Sequence, residues 1–228
     1  MKVDKINKLY FSLLQKHGRP EGQWKLWCKR PKTLSEKEEV IIGAILTQRT
    51  NWKNVELAIN NLKKRKVNSM EDIYRLGPDK LAFLIKPSGF YQIKAKYLFG
   101  LAQFIVKNYG NLQNMEKQDF RESRKELLEL KGVGPETADS ILLYALEKQV
   151  FVIDEYTRRL ARKNKLSQDL SYHSLQSLFE RNLKKDWRLY QDFHALIVID
   201  GKNTNALAGN RVLIEFAIKR KGDKIRTF

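Results

Sequence analysis

Apolar residues recur at helical spacing through nearly the whole chain, and that one pattern excludes most architectures. In VIIGAILTQRTNWKNVELAINNLKK (40–64), Ile42, Ile45 and Leu46 are followed by Val55, Ala58, Ile59 and Leu62. This i, i+3, i+4 rhythm predicts helix throughout the stretch. LAFLIK (81–86) reads as a short helix before the breakers Pro87 and Gly89. The period resumes from Ile93 through Leu101 to Ile105, and returns in 119–130, 135–149, 155–165, 171–185, 192–202 and 210–221. Only VFVID (150–154) reads as extended, and it is too short and isolated to build a sheet. The expected fold class is all-α, with about ten helices by this periodicity. Only 5 prolines and 12 glycines predict short connections, and no internal repeat or low-complexity tract interrupts the chain.

Charge narrows the partners. The 228 residues carry 44 Lys plus Arg against 26 Asp plus Glu, a formal charge of +18. Such an excess points to a polyanion, most often nucleic acid. The plainer alternative is a surface made basic for solubility. The excess is uneven: residues 121–160 hold seven basic and eight acidic residues, a net of −1. Whatever that stretch binds, it does not bind through bulk charge. The longest apolar run, Val40 to Leu46, is too short to span a bilayer, and MKVDKINKLYF makes a poor signal peptide. A single cysteine, Cys28, rules out an intramolecular disulfide and any four-cysteine metal site. His17, His173 and His194 lack ligand spacing, so no metal and no cofactor are expected. The expected compartment is the reducing cytosol, at the nucleoid if the cell is prokaryotic.

LLELKGVGPETAD (127–139) is the most informative stretch. A helix should end near Leu130, a tight turn should run through Gly132 and Gly134, and Pro135 suits the first position of a new helix. The amides of such a turn can hold a phosphate without basic side chains, which fits the local charge of −1. Two other readings stand beside it. One is a dinucleotide loop, disfavoured by Thr137 at the third glycine position and by the helix before it. The other is a plain helical corner.

The downstream context separates them. Asp154 lies 20 residues beyond Gly134, after one helix and the extended VFVI. LKGVGPETADSILLYALEKQVFVIDEYTRRL resembles the helix–hairpin–helix, Gly/Pro-rich loop and aspartate pattern of the endonuclease III superfamily of DNA glycosylases, with Ile153 where valine is usual. KPSGFYQIKAKYL (86–98) and AILTQRTNW (44–52) resemble two further blocks of that family, in the right order. The tail GKNTNALAGNRVLIEF has no cysteine, so the iron–sulfur cluster of many members is absent. Members that also cleave the strand carry a lysine where this chain has Glu136, and glutamate cannot form their Schiff base. The pattern looks most like the monofunctional 3-methyladenine glycosylases.

The resemblance implies two helical lobes around a DNA cleft. One lobe would be a six-helix unit over 38–147, the other 1–37 joined to 148–228. It implies double-stranded DNA with a damaged base as the partner, with no obligate protein partner. Asp154 would stabilise the oxocarbenium charge that develops as the base leaves, and orient water. Its plainer reading is a helix cap before EYTRRL. Gln48 would fill the gap left by a flipped nucleotide. Trp24, Trp27, Trp52 and Lys202 are base-pocket candidates, although tryptophan is usually core. Lys131, Gly132, Val133, Gly134 and Thr137 would meet the DNA backbone. Lys94 and Lys96 are phosphate candidates, or else solvated charges, and Phe90 and Tyr91 read as packing. Three alternatives stay open: a lyase using another lysine, a uracil or mismatch glycosylase, and a noncatalytic hairpin module.

Overall fold

The computed structural model describes the backbone of residues 2–222 and the side chains of 5–204. Thirteen α-helices follow one another among the described residues, with no strand. They are α1 (Lys2–His17), α2 (Trp24–Trp27), α3 (Leu34–Leu46), α4 (Trp52–Lys64), α5 (Met70–Leu76), α6 (Pro78–Leu84) and α7 (Tyr91–Tyr109). Next come α8 (Leu112–Glu116), α9 (Phe120–Glu129), α10 (Pro135–Ser140), α11 (Glu155–Lys163), α12 (Tyr172–Asn182) and α13 (Trp187–Gly222). No helix among the described residues is long and apolar enough to cross a membrane.

The helix expected across 40–64 is two. α3 ends at Leu46, Arg49 takes a positive φ of 52°, and the Asn51 side chain caps α4 by accepting from Asn54 N. The apolar rhythm hides the break because it carries on in both pieces. The segment between them, 47–51, is thereby bent out of the helix axis. α2, α5 and α8 are short helices that periodicity did not mark, since four to seven residues barely complete a turn or two. Conversely, 192–202 and 210–221 belong to the single helix α13.

Packing gathers the helices into two groups. α7 lies against α3, α5 and α6, while α1 lies against α12 and α13, so the N-terminus joins the C-terminal helices. α10 runs between them. It continues into a π turn, Ile141–Ala145, and then into an extended stretch from Val150 to Ile153. Ile141 to Ala145 and Phe151 to Ile153 are all 0% exposed. This rod of buried chain packs on α3 and α13 through the π turn and links the two groups.

Asp139 fastens the rod. Its fully buried carboxylate receives Arg124 Nε at 2.6 Å and Nη2 at 3.1 Å, Tyr172 Oη at 2.7 Å and Gln176 Nε2 at 2.7 Å. Those partners come from α9 and α12, so one side chain ties α9, α10 and α12 together. A buried carboxylate with this many donors is fully satisfied.

Candidate active site

Asp154 is a helix cap and something more. Its Oδ1 accepts from Thr157 N at 2.7 Å and Thr157 Oγ1 at 2.9 Å, closing the start of α11. Its Oδ2 takes no part in the cap and faces His194 Nε2 at 3.6 Å. Burial pushes this carboxyl up. The positive charge His194 can carry and the Thr157 bonds outweigh that, leaving it below the ordinary carboxylate value.

The free oxygen opens on a cavity of about 270 Å³. Trp24, Trp27, Trp52, Gln48, Thr137 and Lys202 all line it, so residues spread over almost 180 positions meet at one site. Trp27 stands edge-on to both neighbours, with ring centroids 5.6 Å from Trp24 and 6.1 Å from Trp52. Trp24 and Trp27 are nearly buried, at 5% and 7%. They are core and wall at once. Lys202 Nζ donates to Gln23 Oε1 at 2.9 Å across the rim. Glu136 lines the cavity from an exposed position at its mouth, where partial desolvation, and then the charge of Asp154, raise its pKa.

A wider groove of about 830 Å³ lies alongside, between α7 and the turn before α10. Gln48 divides the two spaces. Its Nε2 donates to Gly132 O at 3.0 Å and Thr137 Oγ1 at 3.2 Å, so the 47–51 segment is tied to the hairpin. Within the hairpin the two glycines do different things. Gly132 has φ +87°, and a Cβ there would sit 2.2 Å from the Tyr97 ring. Gly134 has an ordinary φ and open space around it, and no side chain caps the helix it starts. Gly132 is required by the fold, while nothing in the protein requires Gly134. Gly134→Val should therefore keep the parent Tm but weaken binding to all duplex sequences alike, because the added bulk stands where the resemblance puts the DNA backbone. Equal affinity in titrations of parent and variant would contradict that reading.

Residues 42–187 match the HhH-GPD superfamily of base excision DNA repair proteins, more than half of the chain. This chain belongs to that superfamily. It is a DNA glycosylase with the all-α helix–hairpin–helix fold. A Methanocaldococcus jannaschii protein, named as a proposed DNA repair glycosylase, is 43% identical over 225 residues, covering 96% of this chain and 98% of its own. The H. pylori 3-methyladenine DNA glycosylase, solved with 1,N6-ethenoadenine bound, superposes with a TM-score of 0.72 at 31% identity, covering 89% of this chain and 98% of that one. A trapped endonuclease III–DNA intermediate shares the fold at a TM-score of 0.66 and 16% identity, over 86% and 85% of the two chains.

Several residues of this glycosylase do not sit where the sequence placed them. Lys94, a phosphate candidate, is 2% exposed. Its ammonium donates to Leu46 O at 2.8 Å and Ser88 O at 2.7 Å, pinning the end of α3 to the turn before α7, and burial lowers its pKa to about 8. It cannot reach a phosphate without stranding two buried carbonyls. Val133 lines the groove, but its side chain is buried and its amide donates to Leu130 O at 3.1 Å, so that amide holds the turn and is not free for a phosphate. Phe90, expected to pack, is 64% exposed on a left-handed backbone with φ 46°. It stands in the groove with Ile93, across from Arg49. Lys96 and Lys131 are exposed.

Four site residues went unmarked: Arg49, Tyr144, Tyr156 and His194. Arg49 and Tyr156 line the cavity, Tyr156 packed directly against Gly201 of α13. The Gly201–Lys202 pair was the one available signal for that wall. His194 and Tyr144 read as core because they lie in apolar helical runs, and only the tertiary fold brings them to Asp154.

Proposed function

We propose that this glycosylase is monofunctional and removes an alkylated purine such as 3-methyladenine by hydrolysis, as a step of base excision repair. One observation carries the reading: an aromatic cavity is lined by two carboxylates, Asp154 with its Oδ2 outside the cap and Glu136 at the mouth; the resemblance of GVGPETA to the family's hairpin puts Glu136 where strand-cleaving members carry lysine. Indole faces and carboxylates together favour a flat, cationic base over a neutral one. Such a base leaves as a neutral purine, so no strong acid is needed behind it. The 31% identity to the H. pylori 3-methyladenine enzyme supports the same substrate class.

Duplex DNA would lie in the cleft between the 38–147 lobe and the lobe made by 1–37 with 148–228. The hairpin at Gly132 and Gly134 would hold backbone, with the exposed Lys131 and Lys96 nearby. Gln48 would enter the space left by the flipped nucleotide from one side, and the exposed Phe90 would wedge from the other. The extruded base would enter between Trp24, Trp27 and Trp52, bringing its sugar to Asp154.

The test is a base-release panel across alkylated, deaminated and mismatched duplexes, run with and without borohydride. Alkylpurine release leaving an intact abasic strand, with no covalent adduct, is expected. A borohydride-trapped adduct with strand cleavage before alkali would overturn the monofunctional reading. Preferential release of uracil or thymine would overturn the substrate class.

A further inference from the structure

His194 is 5% exposed, and its two ring nitrogens have different surroundings. Tyr144 has a single hydroxyl proton, which goes to the Gln191 carbonyl at 3.1 Å. Burial holds this hydroxyl well above the ordinary tyrosine pKa, so the proton stays. The Tyr144 oxygen therefore receives the proton on His194 Nδ1, 2.8 Å away. In the neutral ring this fixes the tautomer: Nε2 is a bare acceptor. It is buried and has no hydrogen-bond partner among the described residues.

Nε2 looks instead at Asp154 Oδ2, 3.6 Å away. That is too long for a direct hydrogen bond. Oδ1 of the same carboxylate is committed to Thr157, and among the described residues no donor lies within hydrogen-bond distance of Oδ2. Two buried acceptors side by side, at the wall of the base cavity, suit a molecule with two protons to give.

We propose that His194 Nε2 and Asp154 Oδ2 together hold the attacking water, and that His194 accepts its proton. This rests on the hydrolytic reading above and assigns its nucleophile. A water donating both protons to these acceptors has both lone pairs turned away from them, toward the cavity. As the C1′–N bond breaks, its electron pair leaves with the base, and a cationic alkylpurine departs neutral. The water oxygen forms the new bond to C1′ of the oxocarbenium sugar. Its proton passes to Nε2, and from there to solvent once the base has gone. Asp154 then faces positive charge twice, first the sugar and then the imidazolium beside it. Tyr144 is a positioning residue here: it acts only through the tautomer it imposes.

The experiment uses the full chain with His194→Phe, which keeps the ring's bulk and removes both nitrogens. Tm, abasic-duplex affinity and single-turnover base release are measured, the last also in water–methanol. Release should fall about a hundredfold, in the range removal of a proton acceptor gives, while affinity holds. Methanol has one hydroxyl proton and cannot satisfy both acceptors, so the parent should discriminate against it and His194→Phe should not. The methyl glycoside fraction should therefore rise several-fold in the variant. A parent-like rate, or a slower rate with the parent's product ratio, would overturn the water site. If His194→Phe does not fold, His194→Gly with added imidazole replaces it, and failure of imidazole to restore the rate has the same force. A parent protein that releases no base from any lesion overturns the proposed function and this site with it. An active parent beside an indifferent His194 variant overturns this site alone.

Discussion

Asp154→Asn should slow base release by about two to three orders of magnitude while leaving the fold intact, the range found for removing one preorganised charge-stabilising group. The two oxygens of Asp154 explain why the effects separate. Asparagine keeps an oxygen for Thr157 N and Oγ1, so the start of α11 stays capped. The position of Oδ2 becomes an amide nitrogen, a donor where an anion had faced the cavity. The loss should be smaller for a cationic alkylpurine, which needs less help to depart, than for a neutral base such as hypoxanthine. Abasic-duplex affinity should survive, because the hairpin and the exposed lysines are untouched. Single-turnover release, melting and affinity on one preparation decide it. A normally folded variant that releases base at the parent rate would make Asp154 a cap and nothing else, and catalysis would then rest on other groups of the cavity.

The largest stability effect should come from a different aspartate. Asp139→Ala strands the Arg124 guanidinium, the Tyr172 hydroxyl and the Gln176 amide around a hole. Breaking a buried charge pair by removing one partner costs about 3–5 kcal/mol. In a chain of this length that lowers Tm by on the order of 10 °C. Because the same carboxylate joins α9 to α10, the hairpin between them should loosen and DNA affinity should fall without regard to sequence. An unchanged Tm would show that the four hydrogen bonds contribute nothing net. Asp139→Asn, which keeps the volume and one acceptor, should fall between the two.

Much of this architecture was legible because its signals are local. The hairpin announces itself in Gly132, whose positive φ few residues other than glycine adopt, and in Pro135 at the first position of α10. The VFVI stretch is short, β-branched and bounded by helices, and the chain does leave the helix there, while its burial shows only in the fold. Asp154 sits where both a cap and a site were expected; the cap uses Oδ1 and leaves Oδ2 for the proposed site. What stayed hidden depends on distance through space. Lys94 looks like every other lysine until two carbonyls close over it. His194 lies in DFHALIVID, where an apolar run makes any histidine look like core. The break at 47–51 was signalled by Asn51 alone, against a continuing rhythm. Phe90 misled because aromatics are usually interior, and its exposure follows from a left-handed backbone that sequence does not display.

The rod between the hairpin and Asp154, buried from Ala138 to Leu146 and again from Val150 to Ile153, has a consequence for where along a duplex this enzyme can work. Its length is fixed by the π turn and by side chains with no exposure, so the hairpin and the Asp154 carboxylate cannot move apart. On the proposed reading the enzyme would then measure from the phosphate at its hairpin to the sugar at Asp154, a set number of nucleotides along the strand. A lesion placed closer to a strand end or a nick than that interval would present its sugar with no backbone for the hairpin. Excision should collapse over a single nucleotide step as a lesion is walked toward an end, and only on the side that the hairpin occupies.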